Sequence, residues 1–124
     1  MTTTRLLDAP VQPPLDEVFK ALADPTRLAV VERLGTGPAS TTELARPFDM
    51  ALPSFSQHLD VLERCGLVAS AKQGRVRIYR LTPAPLEQAG SWLAAQRDHW
   101  NRRFDQLDAL LRTDPPTTIP KDPT

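Results

Sequence analysis

The sequence contains little of what disulfide-bonded, secreted or membrane proteins need. Cys65 is the single cysteine in 124 residues, which excludes an internal disulfide and a zinc site built from several cysteines of one chain. No apolar run approaches membrane-spanning length, and the N-terminus has no hydrophobic signal core. We therefore expect a cytoplasmic protein without a membrane partner.

A net charge and catalytic motifs are also absent. The 15 basic residues balance 15 acidic residues, which argues against non-specific coating of nucleic acid but leaves room for a local basic surface. There is no glycine-rich phosphate loop and no arrangement of Ser, His and Asp typical of a nucleophile elbow. The sequence thus indicates a protein that is not an enzyme and needs no cofactor.

Proline marks the limits of the folded region. The composition, with 40% hydrophobic and 24% charged residues, is that of a globular chain. Proline is concentrated near both ends: Pro10, Pro13, Pro14, Pro115, Pro116, Pro120 and Pro123. We predict disordered tails over residues 1–14 and 113–124 and one domain over residues 15–112.

Three short helices are predicted in the first half of the domain. The first covers residues 15–23, where apolar residues recur at helical spacing. Asp24 and Pro25 fit the N-cap and first position of a second helix that ends near Leu34. Ser40 and Glu43 fit a capping box, so a third, short helix is expected to start at Ser40.

The central helix, within residues 49–67, has two distinct faces. Its predicted buried face carries Leu52, Phe55, Leu59 and Leu62. The opposite face is polar and carries Pro53, Gln57, Asp60 and Arg64, flanked by Ser54 and Ser56. Gly66 fits a left-handed helix stop, with Leu67 placed to contact Leu62. A short helix, a tight turn and a second helix with a polar outer face describe a helix-turn-helix.

A basic β-hairpin is predicted after the central helix. Val, Ile and Tyr alternate with cations over residues 75–81, and Gly74 suits the turn between two strands. Residues 72–81 contain no acid and four cations: Lys72, Arg75, Arg77 and Arg80. This localised positive charge indicates a nucleic-acid surface, although cations can also protect an exposed sheet edge from aggregation.

The last predicted element is a long helix from about Ala84 to Arg112. Apolar residues recur along it every seven positions or between those positions: Leu86, Leu93, Trp100, Phe104, Leu107 and Leu111. This number of apolar residues favours a homodimer interface formed by the last helix with the first helix beside it, although some of these residues could cover the domain's own core.

Three separated motifs resemble ArsR-type bacterial transcriptional regulators. They are residues 21–28 (ALADPTRL), residues 54–62 with 65–68 (SFSQHLDVL and CGLV) and residues 74–81 (GRVRIYRL). The resemblance covers roughly Asp16 to Leu111. It implies a mainly α winged helix-turn-helix with a small β-hairpin, in the order α-α-α-α-β-β-α, dimerising through its first and last helices.

The resemblance also implies a function and a set of site residues. The expected function is a homodimeric repressor of its own or a neighbouring operon, bound to palindromic double-stranded DNA and released by a signal. The predicted DNA-binding residues are Ser40, Thr41, Pro53, Ser54, Ser56, Gln57, His58, Lys72, Arg75 and Arg77. The predicted dimer interface is Leu15, Val18, Phe19, Leu86, Trp92, Leu93, Trp100, Phe104, Leu107 and Leu111. No metal ligands are expected.

Two residues depart from the family's pattern. Asp60 stands where a cation is frequent, and an acid near phosphates weakens binding unless it accepts a hydrogen bond from a cytosine amino group. Ala51 stands where a capping serine is common, so fewer backbone N–H groups at the start of the central helix have a hydrogen-bond acceptor. His58 has two interpretations: it contacts a phosphate, or it orients the helix through a backbone hydrogen bond.

Several alternatives to simple repression stay open. A small-molecule inducer could bind between the long helices, near Trp92 and Trp100, and a dimer-bridging zinc could use His99 with neighbouring acids. Redox control through Cys65 is conceivable beside the cation of Arg64. In another class, the basic hairpin could meet an acidic protein partner. The residues do not distinguish repression from activation.

Overall fold

The computed structural model describes residues 13–113, which form five helices and three strands. Helices α1 (Leu15–Leu22) and α2 (Pro25–Leu34) precede strand β1 (Ala39–Ser40), helix α3 (Thr41–Ala45) and helix α4 (Leu52–Arg64). Strands β2 (Val68–Gln73) and β3 (Val76–Leu81) and helix α5 (Pro83–Thr113) complete the order. The predicted winged helix-turn-helix is confirmed, with one strand added.

The predicted tails fall almost entirely outside the described residues. Pro13 and Pro14 are described, and Pro14 is the N-cap of α1. Thr113 is the last residue of α5, so this helix runs one residue beyond its predicted end. The predictions for residues 1–12 and 114–124 lie outside the described part of the chain.

Side-chain caps start α2 and α3 at the predicted residues. The Arg27 backbone N–H donates to Asp24 Oδ2 at 3.0 Å, and Pro25 occupies the first turn of α2. At α3, the Glu43 N–H donates to Ser40 Oγ at 3.1 Å while the Ser40 N–H donates to Glu43 Oε1 at 2.8 Å. This reciprocal capping box lowers the pKa of Glu43, chiefly through the Ser40 backbone N–H.

The hairpin belongs to a three-stranded antiparallel sheet in the order β1-β3-β2. Strand β1 pairs Ala39 with Tyr79 and Ser40 with Ile78. A strand of two residues is too short to produce an alternating sequence pattern, which explains why it was not predicted. Its pairing attaches the start of α3 to the hairpin.

The core forms around the buried face of α4. Phe55, Leu59 and Leu62 are each 0% exposed. Buried residues from the other elements complete this core: Val18, Ala21, Val30, Val31, Leu34, Ala39, Leu44, Leu67, Val68, Tyr79 and Ala89. Leu52 was predicted to share the buried face, but it is 53% exposed. The prediction for Leu52 is wrong because this residue opens the helix, one turn before the packed stretch begins.

The end of α4 fixes where the hairpin starts. Gly66 adopts φ +80°, a left-handed conformation that glycine tolerates without strain. The Leu67 N–H donates to the Leu62 carbonyl at 3.0 Å, and the Gly66 N–H donates to the Glu63 carbonyl at 3.1 Å. These are the two hydrogen bonds of a Schellman motif, as the sequence predicted. Leu67 and Val68 then enter the core and begin β2.

The chain divides into two compact units, one ending at Ala89 and the other beginning at Gly90. Helices α1 to α4, the sheet and the first residues of α5 belong to the first unit. The remainder of α5 forms the described part of the second unit. Within residues 13–113, no helix combines the length and the apolar character needed to cross a membrane.

Candidate nucleic-acid interface

The outer face of α4 is polar and exposed over its first two turns. Pro53, Ser54 and Gln57 are exposed, whereas Ser56 and His58 are half-buried at the two borders of this face. Gln57 lies nearly opposite the buried stripe, so its amide points away from the core. A helix with an exposed amide and small hydroxyl groups near its start can hydrogen-bond base edges in a major groove.

The N-terminus of α4 contains backbone N–H groups that make no hydrogen bond within the helix. No side chain in the described part of the chain caps this helix at Ala51. The Phe55 N–H makes the first helical hydrogen bond, to the Ala51 carbonyl at 3.0 Å, and Pro53 has no N–H. The N–H groups of Leu52 and Ser54 are therefore left for an external acceptor. Together with the positive end of the helix dipole, they suit an anionic oxygen such as a phosphate.

The Arg27 side chain in α2 forms hydrogen bonds that connect α4 to the end of α1. Its Nε–H donates to the Ala21 carbonyl at 2.7 Å, and Arg27 Nη1 lies 3.2 Å from His58 Nδ1. A guanidinium only donates, so His58 Nδ1 is the acceptor in this hydrogen bond. His58 Nδ1 is also 3.6 Å from Asp24 Oδ2. The orienting contact expected for His58 therefore exists, but with side chains of the α2 start rather than with backbone.

Asp24→Ala is expected to lower the free energy of unfolding by about 1 kcal/mol at pH 7, through loss of the α2 cap. The Arg27 backbone N–H holds the pKa of Asp24 below its ordinary value of 3.8, and the charge of the Arg27 guanidinium contributes less. Because folding lowers this pKa, the carboxylate stabilises the fold above pH 3.8 and loses this contribution as the pH falls below it. Urea unfolding at pH 7 and at about pH 3 measures both effects.

Asp24→Asn is the matched control, because asparagine keeps a capping oxygen but carries no charge. We expect its stability at pH 7 to lie between that of the unchanged protein and that of Asp24→Ala, and to vary less with pH than that of the unchanged protein. If Asp24→Ala lowered the free energy of unfolding equally at both pH values, the stabilisation attributed to the charged Asp24 carboxylate would be wrong.

The hairpin presents its cations close to a tight turn. Gly74 and Arg75 form the two-residue connection between Gln73 and Val76, and Gly74 has φ +67° as such turns require. Lys72 lies directly opposite Arg77 in the β2–β3 register. Like charges at facing positions are destabilising in isolation, and an anionic partner would relieve their repulsion. Among the described residues, no hydrogen bond or ion pair is seen for Lys72 or Arg75.

A hydrogen-bonded relay connects the hairpin with α4. Ser70 Oγ donates to Glu63 Oε2 at 2.9 Å, and Arg77 Nη1 donates to Ser70 Oγ at 2.9 Å. Glu63 lies in the last turn of α4. The relay thus fixes the base of the hairpin relative to α4, and it leaves further N–H groups of Arg77 for an external acceptor. These hydrogen bonds were not predicted, because a serine and a glutamate seven residues apart carry no recognisable spacing signal.

Ser40 and Thr41 occupy the start of α3, the helix before the turn. The Ser40 hydroxyl is engaged in the capping box, and both residues are half-buried. Their predicted contact with DNA stays a prediction, and the structure adds a folding role for Ser40.

The predicted dimer residues fall into three groups. Val18 is 0% exposed in the core of its own chain, so its assignment to an interface is wrong. Leu15, Phe19 and Leu86 are half-buried against that core. The remaining residues lie in the second unit and are exposed: Trp92, Leu93, Trp100, Phe104, Leu107 and Leu111. The apolar pattern from which α5 was predicted therefore forms a long, exposed hydrophobic surface on this helix.

Metal and thiol chemistry have little support in the described residues. No group of three or more His, Cys, Asp or Glu side chains there could hold a metal ion. The Cys65 thiol is half-buried and donates to the Leu62 carbonyl, with Sγ 3.5 Å from the oxygen. The interaction is that of a structural cysteine at a helix end.

Helices α3 and α4 followed by the cationic hairpin define a winged helix-turn-helix protein, a DNA-binding class. A family model described as a helix-turn-helix domain matches residues 22–71. The arsenical resistance operon repressor of Escherichia coli (strain K12) is 34% identical over 98 residues, which cover 77% of this chain and 80% of that repressor. The HTH-type transcriptional regulator Rv2034 of Mycobacterium tuberculosis is 46% identical over 71 residues, which cover 57% of this chain and 66% of Rv2034.

A solved structure gives the same result. The crystal structure of an ArsR family transcriptional regulator matches with a TM-score of 0.67 and 50% sequence identity, covering 70% of this chain and 96% of the other. The chain therefore belongs to the ArsR family, and it is a DNA-binding transcriptional regulator. The predicted family and class of function are confirmed. The named relatives are regulators and not enzymes.

Proposed function

We propose that this regulator is a homodimeric repressor that binds a palindromic operator in the cytoplasm and controls its own or a neighbouring operon. The observation that carries the proposal is the exposed polar start of α4, tied through Glu63 and Ser70 to a cationic hairpin on the same unit. Repression is taken from the E. coli relative, which is named a repressor.

The two DNA-facing elements have different tasks in this proposal. Gln57 reads a base, since an amide can bond adenine through two hydrogen bonds. Ser54 and the uncapped N–H groups at the start of α4 hold a phosphate. Arg75 and Lys72 contact flanking phosphates or enter a minor groove. Asp60, exposed on the same face, weakens phosphate contact and would favour a site that offers it a cytosine amino group.

The second unit supplies the surface for dimerisation. Trp100 is 64% exposed and Phe104 is 60% exposed, and with Leu107 they line a shallow depression of about 240 Å³. Leu93 and Leu111 extend the same helix face by whole turns. An exposed apolar face of this length on a soluble chain suits a second copy of itself. The dimer would set two α4 helices about 34–36 Å apart, one turn of the duplex.

Gln57→Ala and Arg75→Ala test this division of labour. Gln57→Ala is expected to reduce discrimination between operator and random DNA by about 1–3 kcal/mol, because it removes base contacts. Arg75→Ala is expected to weaken binding to both DNAs alike and to lower the slope of log affinity against log salt by about 1. Titrations at several salt concentrations, with operator and scrambled duplexes, measure both quantities.

Arg80→Ala is the matched control, since Arg80 is an exposed cation on β3 outside the predicted site. It should leave discrimination unchanged and alter the salt slope less than Arg75→Ala. Equal losses for Gln57→Ala and Arg75→Ala on operator and random DNA would show that the proposed roles are wrong.

A further inference from the structure

A groove of about 650 Å³ opens on the first unit beside the C-terminal end of α4. We propose that it binds an organic anion with an apolar body and that an occupied groove weakens DNA binding by this regulator. The second half of the proposal rests on the proposed function, and the first half does not.

The charged lining favours an anion. Lys20, Arg27 and Arg64 contribute three cations, against the single carboxylate of Glu17. The positive excess is local, because the whole chain has a formal charge of zero. Cations from α1, α2 and α4 thus meet around one concavity, where their fields add.

The remaining lining is apolar. Pro14, Ala21 and Val61 contribute hydrocarbon surface, and Cys65 lies at the groove wall. Small-molecule sites in proteins are largely apolar with a few placed polar groups, within roughly 300–1,000 Å³. The groove therefore suits a carboxylate attached to a hydrocarbon chain or ring better than it suits a bare inorganic ion or a neutral lipid.

Arg27 links the groove to the DNA-binding helix. It lines the groove, and its Nη1 donates to His58 Nδ1 in α4. Its Nη2 reaches the Lys20 carbonyl only at 3.5 Å, a weak contact, so part of the guanidinium's five N–H groups can bond a carboxylate. A ligand that draws the guanidinium toward the groove would loosen the hydrogen bond that positions His58.

Cys65 provides a direct readout, because it lines the groove and is the single cysteine of the chain. The experiment measures the rate of alkylation of the full chain by neutral iodoacetamide, without DNA. The probes are octanoate, octanol and inorganic phosphate, at matched ionic strength. Near saturation, octanoate is expected to slow alkylation at least about fivefold, as mass action requires for a blocked site. Octanol and phosphate are expected to protect far less, since octanol has the apolar body without the negative charge and phosphate has the charge without the apolar body.

Two variants complete this test. Lys20→Gln combined with Arg64→Gln is expected to abolish protection by octanoate, whereas Arg46→Gln, an exposed cation outside the groove, should keep it. Each variant is compared with its own rate without ligand, so altered thiol reactivity cancels. Absence of protection, equal protection by octanol or phosphate, or full protection in the double variant would overturn the binding proposal.

A second measurement tests the link to DNA. Saturating octanoate is expected to lower operator affinity about 5- to 150-fold, the usual range of coupling between two sites, and to have no such effect on the double variant. Protection of Cys65 with unchanged operator affinity would overturn the coupling but not the binding. A chain that binds no operator would refute the proposed function and leave the alkylation result standing.

Discussion

Replacing Trp100 and Phe104 together by glutamate will yield a monomer whose operator affinity is lower by roughly 10²–10⁴-fold, the gain that two linked binding modules normally provide. Both side chains are largely exposed on the described part of the second unit. In the proposed dimer they are buried against their copies, where two added carboxylates per chain would be desolvated and would repel one another. Sedimentation equilibrium reports the mass, and operator titration reports the affinity.

The matched control is Ser91→Glu combined with Ala109→Glu. Both residues are exposed and lie on the opposite side of the helix from Trp100, so the variant adds the same charge away from the apolar face. It should stay dimeric and bind the operator. Circular dichroism of both variants establishes that α5 is still helical. If the Trp100 and Phe104 variant were a dimer of unchanged affinity, the proposed interface would be wrong.

Phe55→Ala will lower the free energy of unfolding by roughly 3–5 kcal/mol, enough to unfold much of the protein at 37 °C. Phe55 is 0% exposed, and its ring centroid lies 5.4 Å from that of Phe48. Truncation removes the contact that joins α4 to the turn before it and leaves a cavity in the core. Urea unfolding at one fixed protein concentration measures the loss, because unfolding of a dimer depends on concentration.

Leu52→Ala serves as the comparison within the same helix. Leu52 is 53% exposed, so truncating it should cost no more than about 0.5 kcal/mol. Similar losses for the two variants would contradict the placement of the core under the later turns of α4.

Local signals allowed most of the fold to be predicted. The Asp24 cap, the Ser40 capping box and the Gly66 helix stop each depend on residues close in sequence, so their spacing identifies them. Leu52 shows the limit of periodicity, because a residue can have the correct helical phase and still lie before the packed segment. Val18 shows the opposite error, since a residue predicted to contact a partner chain can instead be buried in the core of its own chain.

The contacts that position the candidate site are long-range, and the sequence did not reveal them. Arg27 and His58 are 31 residues apart, and β1 pairs with β3 across about 40 residues. No periodic pattern records such pairs. The exposed face of α4 and the basic hairpin were predictable because charge and polarity are local properties. The way Ser70 and Glu63 connect them required the structure.

The most direct test of the account is a hydroxyl-radical footprint of the purified full chain on its own upstream DNA. The account predicts two protected segments, about 34–36 Å apart on one face of the duplex, that fade with Gln57→Ala. Uniform protection without a preferred sequence, or a single protected segment that persists when Gln57 is replaced, would contradict it.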